Sequence, residues 1–247
     1  MRIATWNVNG IRARQTQLAE WLATDRPDVV CLQELKAELA QIPELCKLED
    51  YWIYWHCLRG YSGVSIHVRK DLVDREPVFS HPDFDMESRI VQFSHGNVVM
   101  ASVYVPNGGK DFAAKIRFLE ALIAWCRQLH EAGRELILCG DMNIARTEMD
   151  VHPRERKPGA IGQLPEEREI FARLLGDDLV DVGRALDPGN EGLFTWWAPW
   201  RNLRARNIGW RLDYVLASKA IAARATGCVV LPGVGTSDHA PVVMTTA

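Results

Sequence analysis

Carboxylate, carboxamide and imidazole side chains stand at the ends of strand-like apolar runs along the whole chain. Asn7 and Asn9 follow Arg2-Ile3-Ala4-Thr5-Trp6, and Glu34 follows Val29-Val30-Cys31-Leu32-Gln33. Asp141 and Asn143 follow Leu136-Ile137-Leu138-Cys139-Gly140, and Asp213 lies in Trp210-Arg211-Leu212-Asp213-Tyr214-Val215-Leu216. The tail carries Ser237-Asp238-His239-Ala240-Pro241. A sheet that aligns such runs gathers their polar ends at one rim, where loops carry chemistry on a rigid scaffold.

The apolar runs predict strands over 2–6, 29–33, 61–68, 89–93, 98–105, 135–140, 211–216 and 241–245, rich in Val, Ile and aromatic residues and bounded by turn formers. Helices are expected over 11–24, 111–131 and 165–175. In 111–131, Phe112, Ile116, Leu119, Leu122, Ile123 and Leu129 recur at three- to four-residue spacing, with Lys115, Arg117 and Glu120 between them. Pro165 followed by Glu166 and Glu167 suits a helix start. There is no regular βαβ period, so the expected architecture is stacked mixed sheets flanked by helices. At 247 residues the chain suits one domain, 1–247, with one large core.

No run is long and apolar enough to span a bilayer, and the start lacks the regions of a signal peptide, so a cytoplasmic protein is expected. Cysteines 31, 46, 57, 126, 139 and 228 are scattered without a C-x-x-C pair, which favours free thiols over disulfides or zinc. The net charge of −3 argues against a non-specific nucleic-acid coat, but leaves room for a local basic surface.

Each candidate group has a chemical reading and an ordinary one. Glu34 suits Mg²⁺, which takes one or two protein carboxylates; an exposed glutamate after any strand would look the same. Asp141 and Asn143 project to one face of an extended chain, where the acid accepts a proton from water and the amide donates to a phosphate oxygen. The same residues also suit a Gly-Asp turn with an Asn cap. His239 can donate to a phosphoryl oxygen while Asp213 fixes its tautomer, or can bond backbone at a strand start. Tyr104 alone reads as a buried ring. The loop 187–209 mixes Trp196, Trp197 and Trp200 with Arg201, Arg204 and Arg206, which suits a groove for phosphates and an unstacked base or sugar. Core packing is the alternative, with Trp197 expected to be the most buried. Arg12, Lys36, Lys110, Arg201, Arg204 and Arg206, in the loops that also carry the candidate groups, are the residues nominated for that local basic surface. The loop 151–163 holds two prolines, two glycines and several basic residues.

Taken in order, these segments resemble the exonuclease III family of abasic-site endonucleases, within the endonuclease/exonuclease/phosphatase superfamily. The likeness runs end to end: Trp6-Asn7-Val8-Asn9-Gly10-Ile11-Arg12-Ala13-Arg14, Leu32-Gln33-Glu34-Leu35-Lys36, Ser62-Gly63-Val64, Tyr104-Val105-Pro106-Asn107, Gly140-Asp141-Met142-Asn143-Ile144-Ala145, Asn207-Ile208-Gly209-Trp210-Arg211-Leu212-Asp213-Tyr214 and Ser237-Asp238-His239-Ala240-Pro241. The resemblance implies a DNase I-like, four-layered α/β sandwich, with two mixed sheets face to face and helices outside. It assigns Glu34 to a divalent metal, Mg²⁺ with Mn²⁺ as substitute, with Asn9 beside it and Asp238 near a second metal position. Asp141 would prepare the attacking water, and Asn7 and Asn143 would hold phosphate oxygens or that water. His239, oriented by Asp213, would stabilise the phosphorane. Tyr104 would donate to the scissile phosphate, with Asn107 contacting it nearby. Trp196, Trp210 and Leu212 match the pocket for a flipped abasic sugar.

The implied activity is cleavage 5′ to abasic sites in duplex DNA, with 3′→5′ exonuclease and 3′-end cleaning from the same site, by a monomer away from membranes. The alternative within the superfamily is a phosphatase or phosphodiesterase acting on lipid or inositol phosphates. A DNA-binding module with a dead site would require loss of a catalytic group, and all are present. The chain departs from the family pattern in five places: Asn9 where some members have an acid, Lys110 where some place a DNA-penetrating Arg, Trp200 where they have Met, Ser88 for the usual Gly, and a loop 152–163 without the K-G-N-x-K-N run. These bear on substrate preference rather than chemistry.

Overall fold

The computed structural model describes residues 1–58, 60–157 and 159–247. Pro158, part of the basic loop singled out from the sequence, lies outside the described residues. Strands are numbered in chain order. The first sheet runs β11 (Ala225–Val230), β12 (Val242–Thr246), β1 (Arg2–Asn7), β2 (Val29–Gln33), β4 (Val64–Arg69), β3 (Tyr51–His56). The second runs β5 (Phe79–Ser80), β6 (Ile90–His95), β7 (Val98–Tyr104), β8 (Glu135–Asp141), β10 (Asp213–Ser218), β9 (Leu179–Asp181). Only β1–β2 and β7–β8 pair in parallel; the other ladders are antiparallel. The sheets are therefore mixed, as the irregular order of elements implied.

Alternation along the strands builds the layers. Ile3, Val29 and Cys31 join Ile137, Cys139 and Val215 in an apolar layer between the sheets. Their neighbours Ala4, Val30 and Leu32 face outward onto α1 (Ile11–Asp25), against Leu18, Trp21 and Leu22. Leu136 and Leu138 of β8 face α2 (Phe112–Glu131) and α3 (Pro165–Leu175), through Phe118, Leu122 and Phe171. Adjacent residues thus serve opposite faces of a sheet buried on both sides, which is why these strands read as unbroken apolar runs. The result is the four-layered α/β sandwich, helix–sheet–sheet–helix. Each large aliphatic side chain buried this way contributes about 1.5–3 kcal/mol.

Two short helices, α4 (Val182–Leu186) and α5 (Lys219–Ala222), complete the described helical elements of α type. Asp111 caps α2, accepting the amide of Ala114 (2.8 Å), and Pro165 starts α3 as read. Three expectations need correction. The strand placed at 61–68 begins at Val64, because Ser62 and Gly63 take left-handed φ of 51° and 88°. The strand placed at 211–216 is Asp213–Ser218; Arg211 is instead drawn into a buried cluster with Asp150 and Asp181. Lys115, placed on the polar side of α2, has no exposed surface.

Candidate active site

The parallel and antiparallel ladders of the second sheet set three functional side chains in one row. Asp141, the last residue of β8, is the register partner of both Tyr104 on β7 and Asp213 on β10. Gly140 makes this possible, since a Cβ there would lie 1.8 Å from the carbonyl oxygen of Val103. The first sheet supplies Asn7 at the end of β1, next to Gln33 of β2, so that Glu34 emerges beside it. The sheets meet where Asn7 Nδ2 donates to Asp141 Oδ2 (2.9 Å).

His239 enters just before β12. Its Nδ1 lies 2.8 Å from Asp213 Oδ2, and its Nε2 lies 3.9 Å from Asp141 Oδ2. Thr195 Oγ1 donates to the same oxygen of Asp213 and accepts the amides of Leu212 and Asp213, so the acid cannot swing. Ser237 Oγ accepts the His239 amide while donating to the Asn7 carbonyl (2.7 Å), and Trp6 Nε1 donates to the His239 carbonyl. Thr195 and the role of Ser237 were not legible in the sequence; their only signal is a hydroxyl beside a candidate acid or imidazole.

Burial sets the protonation. Burial penalises the imidazolium of His239, but Asp213 and Asp141 outweigh it and hold the pKa up at about 10. Burial raises Asp141 to about 7, opposed by His239. Tyr104 is pushed well above the usual phenol range, by burial first and then by Glu34 and Asp141. It is a neutral donor at any physiological pH. The site therefore offers a charged donor, a neutral donor and a carboxylate poised near neutrality.

Asn143 stays beside Asp141, but through a turn rather than the extended alternation expected, since β8 ends at Asp141 and Asn143 has a φ of 50°. Its amide donates to Asp141 Oδ1 (2.8 Å), its side chain donates to Val105 O (2.9 Å), and its Oδ1 accepts from Asn107 Nδ2 (3.2 Å). Asp238 takes Asn9 Nδ2 (2.7 Å) on one oxygen and Trp196 Nε1 (2.9 Å) on the other. Burial opposes ionisation there, but His239 and these two bonds keep its carboxyl below the usual range.

A cleft of about 860 Å³ opens over this floor. Glu34, Lys36, Tyr104, Asn107, Lys110, Asp141, Asn143, Trp196, Trp210, Leu212, Asp238 and His239 all line it, joining the ends of both sheets. Asn7 and Asp213 lie buried at its floor, with Asn9 at its edge. Trp196 and Trp210 meet edge to face (centroids 5.5 Å, 77°), and each donates its amide to the other's carbonyl at 2.9 Å. Gly209 allows that approach, because a Cβ would sit 2.4 Å from the Trp196 carbonyl oxygen. Trp197 is buried, as expected, while Trp200 is 59% exposed.

The basic residues divide. Lys110 reaches the cleft, whereas Arg12, Arg201 and Arg206 are exposed and outside its lining. Arg204 does not stand free as a phosphate contact. Its guanidinium donates to the carbonyls of Pro232, Val234 and Ser237 and stacks 5.0 Å from the Trp197 ring. It braces the loop behind His239. Sequence reading also missed Arg89, which is 2% exposed, pairs with Glu87 (2.8 Å) and lies over the Tyr104 ring at 4.9 Å. Asp85 anchors this segment by accepting the amides of Arg89 and Ile90, with His56 on its other oxygen.

Two sets of groups bear on metal binding. Asp141, Asp213 and His239 offer atoms within 4.8 Å of one another, but both Asp141 oxygens and Asp213 Oδ2 already accept hydrogen bonds, and a His239 ring held protonated has no lone pair to give. The oxygen donors of Glu34 and Asn9 are the better fit to a hard cation. The Lys36 ammonium already bridges them, 2.8 Å from Glu34 Oε1 and 2.7 Å from Asn9 Oδ1, so the spot holds positive charge. Backbone strain marks the same rim: Asn9, Glu34, Lys36, Glu87, Ser88 and Asn143 all have φ between 45° and 57°. Non-glycine residues in this region cluster at functional sites.

The fold and this rim are those of a hydrolase family, and the sequence agrees. The Endonuclease/Exonuclease/phosphatase family matches residues 4–239, and the chain belongs to it. An exodeoxyribonuclease of Bacillus subtilis is 32% identical over 249 residues, covering 98% of each chain. Among solved structures, an AP endonuclease from Archaeoglobus fulgidus superposes with a TM-score of 0.89 at 27% identity, covering 100% of this chain and 99% of that one. A 3′ phosphatase from Neisseria bound to a product DNA hairpin gives 0.90 at 29% identity, with the same coverage.

Proposed function

We propose that this chain, residues 1–247 acting as one catalytic unit, is a divalent-metal-dependent DNA-repair phosphodiesterase that cuts 5′ to abasic sites in duplex DNA. The observation that carries the reading is the Asp213–His239 pair facing Asp141 across the floor of a Trp-walled cleft. The relatives' own activities on DNA support the substrate class.

Asp141, with a pKa near the working pH, takes a proton from the attacking water. Asn7 and Asn143 fix the carboxylate and present amide donors beside it. As oxygen adds to phosphorus, charge grows on the non-bridging oxygens. The His239 imidazolium and the Tyr104 phenol are the donors placed to meet it. The P–O bond to the 3′ oxygen breaks, leaving a 3′-hydroxyl and a 5′-deoxyribose phosphate. Glu34, with Asn9 beside it and Asp238 near a second metal position, would hold Mg²⁺, or Mn²⁺ in its place, and the ion would neutralise phosphate charge and polarise its oxygens. Trp196, Trp210 and Leu212 would receive the flipped sugar, which has no base to unstack and is cheap to extrude. A 3′ terminus presented to the same donors would give 3′→5′ exonuclease or 3′-end cleaning. Such an enzyme works as a cytoplasmic monomer; among the described residues no helix is long and apolar enough to cross a membrane.

The test compares an abasic-site duplex, a 3′-recessed intact duplex and an inositol phosphate, each with Mg²⁺ and with EDTA. Metal-dependent incision of the abasic strand is expected. Turnover of the inositol phosphate alone would replace this reading with the lipid-phosphatase one.

A further inference from the structure

Lys115 and Glu167 are both without exposed surface, and neither takes part in the chemistry above. The Lys115 ammonium donates to Glu167, to the carbonyl of Asn143 (2.8 Å) and to the carbonyl of Asn107 (3.1 Å). The second oxygen of Glu167 accepts the amides of Gly162 (2.6 Å) and Leu164 (3.0 Å). Asn107, Asn143 and Gly162 come from three different loops, and all three line the cleft. The packing leaves little slack. A Cβ at Gly108 would lie 2.8 Å from Lys115 Cδ, and one at Gly162 would lie 3.1 Å from the Trp210 ring. Burying such a pair is a poor way to add stability, since apolar pairs of similar volume often do as well. What the pair supplies here is a common anchor for three loops.

We propose that the Lys115–Glu167 ion pair is a positioning element, fixing Asn143 against Asp141 and Asn107 against Asn143 and holding the Gly162 backbone against Trp210 for the scissile phosphate and its sugar. This rests on the reading of Asn107 and Asn143 as phosphate-side groups. Burial pulls the Lys115 ammonium towards neutrality, while Glu167 and then Asp141 hold its charge. A displacement of about 1 Å at a reacting centre can cost on the order of 100-fold in rate.

The experiment measures kcat, KM and thermal midpoint for the wild type, K115M, K115R and K115M/E167Q, on an abasic duplex well below every midpoint. K115M strands a buried carboxylate and loses stability. In K115M/E167Q that charge is gone while the substituted carboxamide still accepts the loop amides, so stability returns in part. Expected is a fall in kcat of about 10- to 100-fold in both, with KM changed less, and partial recovery in K115R. Wild-type turnover in folded K115M, or turnover that recovers in step with the midpoint in the double variant, would reduce the pair to a structural bond and overturn the proposal. A wild type that fails to incise the abasic duplex would instead defeat the reading of function.

Discussion

At the scale of single residues, Asp141 is the sharpest test. In the proposed mechanism its carboxylate form is the working one, so the rate should climb as pH rises through about 7. D141N cannot take the proton at any pH. It should fold, bind DNA and lose at least ~10²-fold in kcat with the pH limb abolished; steady-state rates from pH 5 to 9 check both. Ser88 makes an opposite prediction. It sits at φ 56° with a buried Oγ that has no partner. Glycine relieves both, so S88G should raise stability by about 1 kcal/mol with catalysis unchanged, read as a shift in denaturant midpoint. The usual family glycine there is explained by the left-handed turn. Most groups of the candidate site were legible because each stands where an apolar run stops. Lys115, Glu167 and Arg89 were not, because on a helix or in a turn a charged residue carries no sign that its head group is buried.

At the scale of elements, legibility followed burial. Strands β1, β2, β7 and β8 are covered on both faces and read as continuous apolar runs. β3, β5, β9 and β11 were not assigned. All four lie at sheet edges, where one ladder is missing and the pattern weakens; β5 spans two residues and β9 three. On β4, His67 gives an element-scale prediction. It is wholly buried, bonded to Ser65 through Nε2 (3.1 Å), with Nδ1 unpartnered. Burial lowers its pKa to about 3 from 6.5. The unfolded chain therefore binds a proton that the fold refuses. Stability present above pH 6.5 is lost as pH falls towards 3, at up to about 1.4 kcal/mol per unit. H67Q should flatten that slope in urea titrations between pH 4 and 7; an unchanged slope would place the acid lability elsewhere.

At the scale of the molecule, a chain of net charge −3 must bind a polyanion through local positive charge. Lys110 in the cleft and Arg12, Arg201 and Arg206 outside its lining are the exposed candidates. R201A and R206A should each lower the slope of log affinity against log salt by about 1 on damaged and intact duplex alike. R204A should act differently, loosening the loop behind His239 and lowering kcat with little change in slope. W210A should penalise abasic incision more than binding to intact DNA; equal losses would leave that ring as packing.

The pairing of β1 has a consequence for how the protein is made. Its neighbours are β2, which follows closely in the chain, and β12, more than 230 residues later and the last of the described strands. At about 5–20 residues per second, the nascent β1 waits roughly 10–50 s with one edge unpaired. A bare edge of that kind attracts other strands, so until β12 arrives the growing chain carries an edge open to mispairing. The same order completes the proposed catalytic pair late: no truncated product of translation that stops short of His239 can carry the Asp213–His239 contact.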